Sequence, residues 1–267
     1  MTSTLLRAVL LPRFLAALAV ALVVAFVVAP PVLAGGVGDP GHLAGAFRAA
    51  FTGFWRAGGA DLTPDLDRLV DSWFRYHVAK AVIAALLLAV LVALGARLWK
   101  AYRTSGGAAV TITGAAVTML ALFSLTVLMA NVQGAAAPFA SLLPMLVDSP
   151  ADAALTGTLD QIRQQLAGAD DLRSPALAVI TDDYAWYHTV MAVLATLVAL
   201  ALVTLSVVSW RRFAAARSRD RRVARAAAAF GVLMALSTLA VAVVAVANTT
   251  VAADPLPGLR GFFDGGW

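Results

Sequence analysis

The 267-residue chain is 61% hydrophobic and 13% charged, with a positive mean hydropathy, which excludes an ordinary soluble domain and indicates an integral membrane protein. It contains no Cys, so a disulfide framework and a thiolate metal site are both excluded. The net charge of +5 does not point to nucleic acid, because the basic residues cluster beside apolar runs, where they set orientation in a membrane. Every acidic residue is Asp, and Arg outnumbers Lys eighteen to two in an Ala-rich chain, a usage that suggests a GC-rich bacterial genome.

Residues 1–34 hold Arg7 and Arg13, an apolar run from Phe14 to Ala29, and Pro30-Pro31-Val32-Leu33-Ala34. The run approaches the ~20 residues that span ~30 Å of hydrocarbon, so an uncleaved first span is expected. A secretory signal peptide cleaved before Gly35 is the alternative. Between Gly41 and Gly58-Gly59, Leu43, Phe47, Phe51, Phe54 and Trp55 form one helical stripe. That stripe suits docking on the membrane surface, with Arg48 and Arg56 reaching headgroups, or packing on other helices. Thr63-Pro64 then reads as an N-cap and first-turn proline, with Asp65 and Asp67 at the positive end of the helix dipole.

The second span is drawn at about 78–98 and the third at about 109–130. After Asn131 and Gln133, the proline-broken apolar stretch Pro138 to Leu146 is too short to cross a bilayer and reads as interfacial or re-entrant. Ser149-Pro150 predicts a capped amphipathic helix with Asp152 in its first turn and a stop at Gly168. Ser174-Pro175 predicts a further short helix. The fourth and fifth spans are drawn at about 189–209 and 226–247, and a tail with Pro255, Pro257 and Phe262-Phe263 follows.

Part of this series occurs twice. Asp71-Ser72-Trp73-Phe74-Arg75-Tyr76-His77 and, 111 positions on, Asp182-Asp183-Tyr184-Ala185-Trp186-Tyr187-His188 both read Asp-x-aromatic-x-x-Tyr-His. Each lies 22 residues ahead of a Trp followed by a cation, Trp99-Lys100 and Trp210-Arg211. Beyond the next turn the shift is 117, matching Gly114 with Gly231, Asn131 with Asn248 and Pro138 with Pro255. The expected architecture is therefore an all-α membrane protein of five spans: a leading helix (1–34), then two parallel copies of a two-helix unit (35–148 and 149–267), with amphipathic helices on the outer face. The copies are related by a pseudo-two-fold axis along the membrane normal.

Placing Arg97, Lys100, Arg103 and the seven arginines from Arg211 to Arg225 inside puts the N-terminus in and the C-terminus out. The Arg211–Arg225 loop also suits anionic lipid. The candidate ligand set is His77 and His188 with Tyr76, Tyr187, Asp71 and Asp182, which the two-fold axis would draw together. The competing role for the same residues is anchoring, since 22 residues cover about 33 Å and aromatic rings favour both interfaces. Asn131 and Asn248 are read as helix C-caps. No His-x-x-x-His pair, nucleophile elbow or phosphate-binding Gly loop is present, so no metal, cofactor or catalytic residue is assigned. The drawn spans are read as free of ionisable side chains, which counts against a proton-coupled pump or an ion pathway.

The Ala/Val-rich spans, the Arg-rich loop and the stretch Asn131-Val132-Gln133-Gly134-Ala135-Ala136-Ala137-Pro138-Phe139 resemble the uncharacterised multi-pass membrane proteins common in actinobacteria. That resemblance covers the general layout and implies no activity. The function expected is non-catalytic: an outer helical cap that binds a protein, lipid or envelope partner. The alternative is a small-solute or ion path along the axis between the copies, favoured if Thr118, Ser124 or Ser237 face it.

Overall fold

The computed structural model describes residues 3–35, 40–104, 106–147, 152–168 and 174–266. Among them there is no strand. The helices are α1 (Ser3–Leu33), α2 (Pro40–Ala57), α3 (Pro64–Thr104), α4 (Ala108–Ala136), α5 (Pro138–Leu142), α6 (Ala153–Ala167), α7 (Pro175–Ala216), α8 (Arg221–Ala253) and α9 (Pro255–Phe263), with a 3-10 turn at Leu143–Leu146.

Five of these, α1 from Leu11 onward, α3, α4, α7 and α8, are long and apolar enough to cross a membrane. Protein covers only 6% of the apolar window in α1 and at most 22% in any of the five, in α3. So much uncovered Val and Leu suggests a multi-pass membrane protein. α3 and α7 are 41 and 42 residues long, or about 60 Å at 1.5 Å per residue, roughly twice the hydrocarbon thickness. The short helix expected from Ser174-Pro175 is instead the first part of one continuous α7. Ser174 caps it, its hydroxyl accepting from Leu177 N at 3.2 Å.

The chain divides into two compact units. Unit 1 is Met1–Leu43 with Val70–Ala135, and unit 2 is Ala44–Leu69 with Ala136–Trp267.

In unit 1, α3 and α4 run antiparallel, because Leu91 and Leu94 pack on Val117 while Ala84 pairs with Ser124 further along. Ser124 Oγ donates to Ala84 O at 3.1 Å with both residues buried. Leu15 and Ala19 of α1 pack against the Leu91–Leu94–Val117 core.

In unit 2, α7 and α8 form the matching antiparallel hairpin, and Ser206 Oγ donates to Gly231 O at 3.0 Å. Asp220 turns the chain into α8, its carboxylate accepting from Arg222 N and Val223 N at 2.9 and 3.1 Å. The short helices α5, α6 and α9 and the part of α2 from Ala44 make the other core of this unit. Phe47, Phe51 and Phe54 are fully buried, and Phe51 and Phe54 meet Phe139 of α5 with ring centroids 6.3 and 5.9 Å apart. The α2 stripe thus packs on protein, and Arg48 does not reach for headgroups: its Nε donates to Met145 O at 2.7 Å. Trp55 Nε1 donates to Gln161 Oε1 at 2.8 Å, joining α2 to α6. Gly58 ends α2 at a φ of 68°, its N–H shared between Phe54 O and Trp55 O.

The stretch from Pro138 to Leu146 is likewise packed inward, with Phe139, Leu142, Leu143 and Leu146 buried. On α6, Ser149 and Pro150 lie outside the described residues. The cap is Asp152 itself, one residue before the helix rather than within its first turn, and its carboxylate accepts from Leu155 N at 2.8 Å. Leu155, Leu159, Ile162 and Leu166 are buried as their spacing predicts, and α6 stops at Gly168. α6 and α9 brace each other at their C-terminal ends. Arg163 Nε donates to Phe263 O at 2.9 Å, and Arg260 Nε donates to Leu166 O at 2.6 Å. Each helix thereby supplies a cation to the negative end of the other.

Candidate functional site

Asn131 and Asn248 do not cap their helices. α4 continues to Ala136 and α8 to Ala253, and no non-glycine residue among those described has a positive φ. Each Asn instead donates from Nδ2 to the carbonyl one turn back, Asn131 to Val127 O at 2.7 Å and Asn248 to Val244 O at 2.9 Å. With the amide nitrogen spent on the helix, Oδ1 faces outward to accept. In unit 1 it meets His77 Nδ1 at 3.0 Å, and in unit 2 Asn248 Oδ1 meets His188 Nδ1 at 2.7 Å.

The roles in this pair follow from the inventory of donors. An Asn Oδ1 only accepts, so the imidazole Nδ1 must carry the proton, and in the neutral ring Nε2 keeps the lone pair. We expect ¹⁵N NMR of labelled histidines to show His77 and His188 as Nδ1–H tautomers, with Asn131→Leu releasing only His77 from that form. An Nε2–H tautomer at both sites would contradict the assignment.

The aromatic surroundings repeat as well. His77 lies edge-on to Trp73 (4.8 Å, 88°) and Tyr76 (5.7 Å, 83°). His188 lies edge-on to Tyr184 (4.6 Å, 67°) and Tyr187 (5.5 Å, 85°). At the far ends, Trp99 sits 5.9 Å from Tyr102 and Trp210 sits 5.7 Å from Phe213. Comparison with protein-family models, curated proteins and solved structures finds no match.

The two units differ in one telling place. Gly134 packs on the His77 ring so closely that a Cβ there would stand 2.7–2.8 Å from Cε1, Nε2 and Nδ1. His77 Nε2 is buried with no hydrogen-bond partner among the described residues. The residue 117 positions after Gly134 is Val251, so His188 lacks that glycine seat.

The acids predicted beside the histidines stand elsewhere. Asp71 is bound at 2.6 Å to Arg75 on the exposed face of α3. Asp182 is exposed. Its neighbour Asp183 carries the contact instead, its carboxylate accepting from Ala140 N at 2.7 Å. Ala140 is the third residue of α5, whose own N-cap position is Ala137, with no side-chain cap. Asp183 thus caps α5 from another helix. Asp183→Ala should weaken α5 by about 0.5–2 kcal/mol, the usual value of a lost cap, whereas Asp183→Asn, which keeps an acceptor oxygen, should cost little. Hydrogen exchange at Ala140–Leu142 reads that change, and unaltered protection there in Asp183→Ala would refute the capping role.

The reading of spans free of ionisable side chains is corrected by Lys80, two residues inside the span drawn at about 78–98, and by Arg97 near its other end. Lys80 Nζ donates to Tyr76 Oη at 3.3 Å and sits 4.6 Å from the Phe26 ring centroid. The signal available was the cation itself, one helical turn after Tyr76. Among the described residues no three His, Cys, Asp or Glu side chains stand together as a metal site. What each His–Asn pair does chemically is close the open end of a helical hairpin with a directed polar bond.

Proposed function

We propose that this is a non-catalytic, polytopic protein of a bacterial cytoplasmic membrane, whose cap of short helices is a rigid platform for a protein, lipid or envelope partner. In this reading the chain is a leading helix followed by two parallel copies of a two-helix unit, with the N-terminus inside and the cap outside. The His–Asn pairs support the duplication: two polar residues on different helices recur at shifts of 111 and 117 and make the same bond.

The observation that carries the platform reading is the cross-bracing of the cap. Arg48, Trp55, Arg163 and Arg260 each tie one short helix to another segment, over a core of fully buried Phe47, Phe51 and Phe54. Loops that merely connect spans need no such core. Around the α6–α9 brace lies an open depression of about 400 Å³ lined by Arg163, Leu166, Ala167, Arg260 and Asp264, a shape that a partner side chain fits.

Two of the three hydroxyls that would line a solute path, Ser124 and Thr118, are spent locally. Ser124 bonds Ala84 O within unit 1, and Thr118 bonds Gly114 O of its own helix. Both facts support a platform over a conduit. The test is a photo-crosslinking residue at exposed Gln164, in cells. A single discrete adduct, absent with the same residue at lipid-exposed Leu239, is expected. No adduct at Gln164, together with solute flux in proteoliposomes, would overturn the reading.

A further inference from the structure

We propose that Lys80, Tyr76 and Phe26 hold the phosphate of an anionic phospholipid against unit 1. Lys80 is half-buried, and its ammonium lies over two ring faces, 4.6 Å from the Phe26 centroid and 5.0 Å from that of Tyr76. Its one hydrogen bond goes to Tyr76 Oη. Among the described residues no carboxylate lies within ion-pair distance of it; of the three acids of α3 ahead of it, Asp65 and Asp71 are taken by Arg68 and Arg75, and Asp67 lies 13 residues back. Ring faces and a phenol solvate a cation without neutralising it. An ammonium carries three donors, so two remain for acceptor oxygens.

The place selects the anion. Lys80 stands at the start of the apolar run, where a lysine stem lies along hydrocarbon and the head reaches the headgroup layer. On α1, beside Phe26, Val23 and Val27 are exposed and lie within about 100° of Phe26 around the helix. That surface fits an acyl chain running down α1 from a phosphate held at Nζ. The residue 111 positions after Lys80 is Met191, so unit 2 has no matching cation and the site belongs to unit 1 alone. The inference rests on the membrane reading and not on the cap's partner.

The test uses the full chain in nanodiscs that mix phosphatidylglycerol with phosphatidylcholine, released gently into a native mass spectrometer. The chain should retain phosphatidylglycerol in preference to phosphatidylcholine. Lys80→Met, which installs the residue found at 191, should reduce that retention about fivefold or more. Lys80→Arg should keep it, and so should Lys100→Met, which removes a cation outside the site. Equal retention of both lipids by the unaltered chain would overturn the proposal, as would full phosphatidylglycerol retention by Lys80→Met. Crosslinking from Gln164 should be unchanged in Lys80→Met, so failure of the lipid site and failure of the platform reading are read separately.

Discussion

Phe51→Ala is expected to loosen the cap as a block. The ring is fully buried and packs against Phe47, Phe54 and Phe139 at centroid distances of 5.9, 6.4 and 6.3 Å. Truncating a phenylalanine so enclosed costs about 3–5 kcal/mol, through lost burial and the cavity left behind. That cost corresponds to a fall in hydrogen-exchange protection of roughly 100- to 4,000-fold across α2 and α5, since each 1.4 kcal/mol is a factor of ten. Phe74→Ala is the companion measurement. That side chain is 42% exposed, and its loss should change stability by no more than about 0.5 kcal/mol. Equal effects from the two variants would mean that the cap has no core of its own.

Gly134→Ala is expected to break the unit 1 pair without touching Asn131 itself. The added methyl would sit 2.7 Å from the His77 ring, which is held by Asn131 on one side and by Trp73 on another. The ring has to swing away, and overpacking of this kind costs about 1–3 kcal/mol. The His77 Nδ1–H resonance should shift or vanish while that of His188 stays. Gly114→Ala should act in the opposite direction. Nothing lies within 4 Å of the added Cβ, and replacing a glycine inside a helix stabilises by up to about 1 kcal/mol. A neutral Gly134→Ala with an intact His77 signal would show that the glycine seat is not required.

The spans were legible because length and hydropathy suffice to mark them, and the Ser174 cap because a Ser before a first-turn Pro has few other uses. Asp152, expected within a first turn, is instead the cap of α6. The buried faces of α2 and α6 followed from spacing alone, as Phe47, Phe51 and Phe54, and Leu155, Leu159 and Ile162, bear out. What escaped was every contact that depends on how one helix is rotated against another. Asn131 at the end of an apolar run looks like a cap until the helix is seen to continue past it. Asp182 and Asp183 are indistinguishable in composition, yet adjacent helix residues point about 100° apart, and only Asp183 meets α5. Arg48 looks like a headgroup ligand because the carbonyl it finds lies 97 residues away. The recurrence of His77 with His188 and of Asn131 with Asn248 was a long-range signal, but it suggests two converging histidines and two caps. That each His bonds the Asn of its own unit depends on helix rotation and was not legible.

The most direct measurement of the central claim is native mass spectrometry of the complex extracted gently from its own membrane. A platform protein should leave the membrane with a second polypeptide in fixed ratio, and Phe51→Ala should abolish that association while the chain itself remains inserted. A lone chain or homo-oligomer that carries a metal, haem or small solute would contradict the account, and His77 and His188 would then be the residues to alter first.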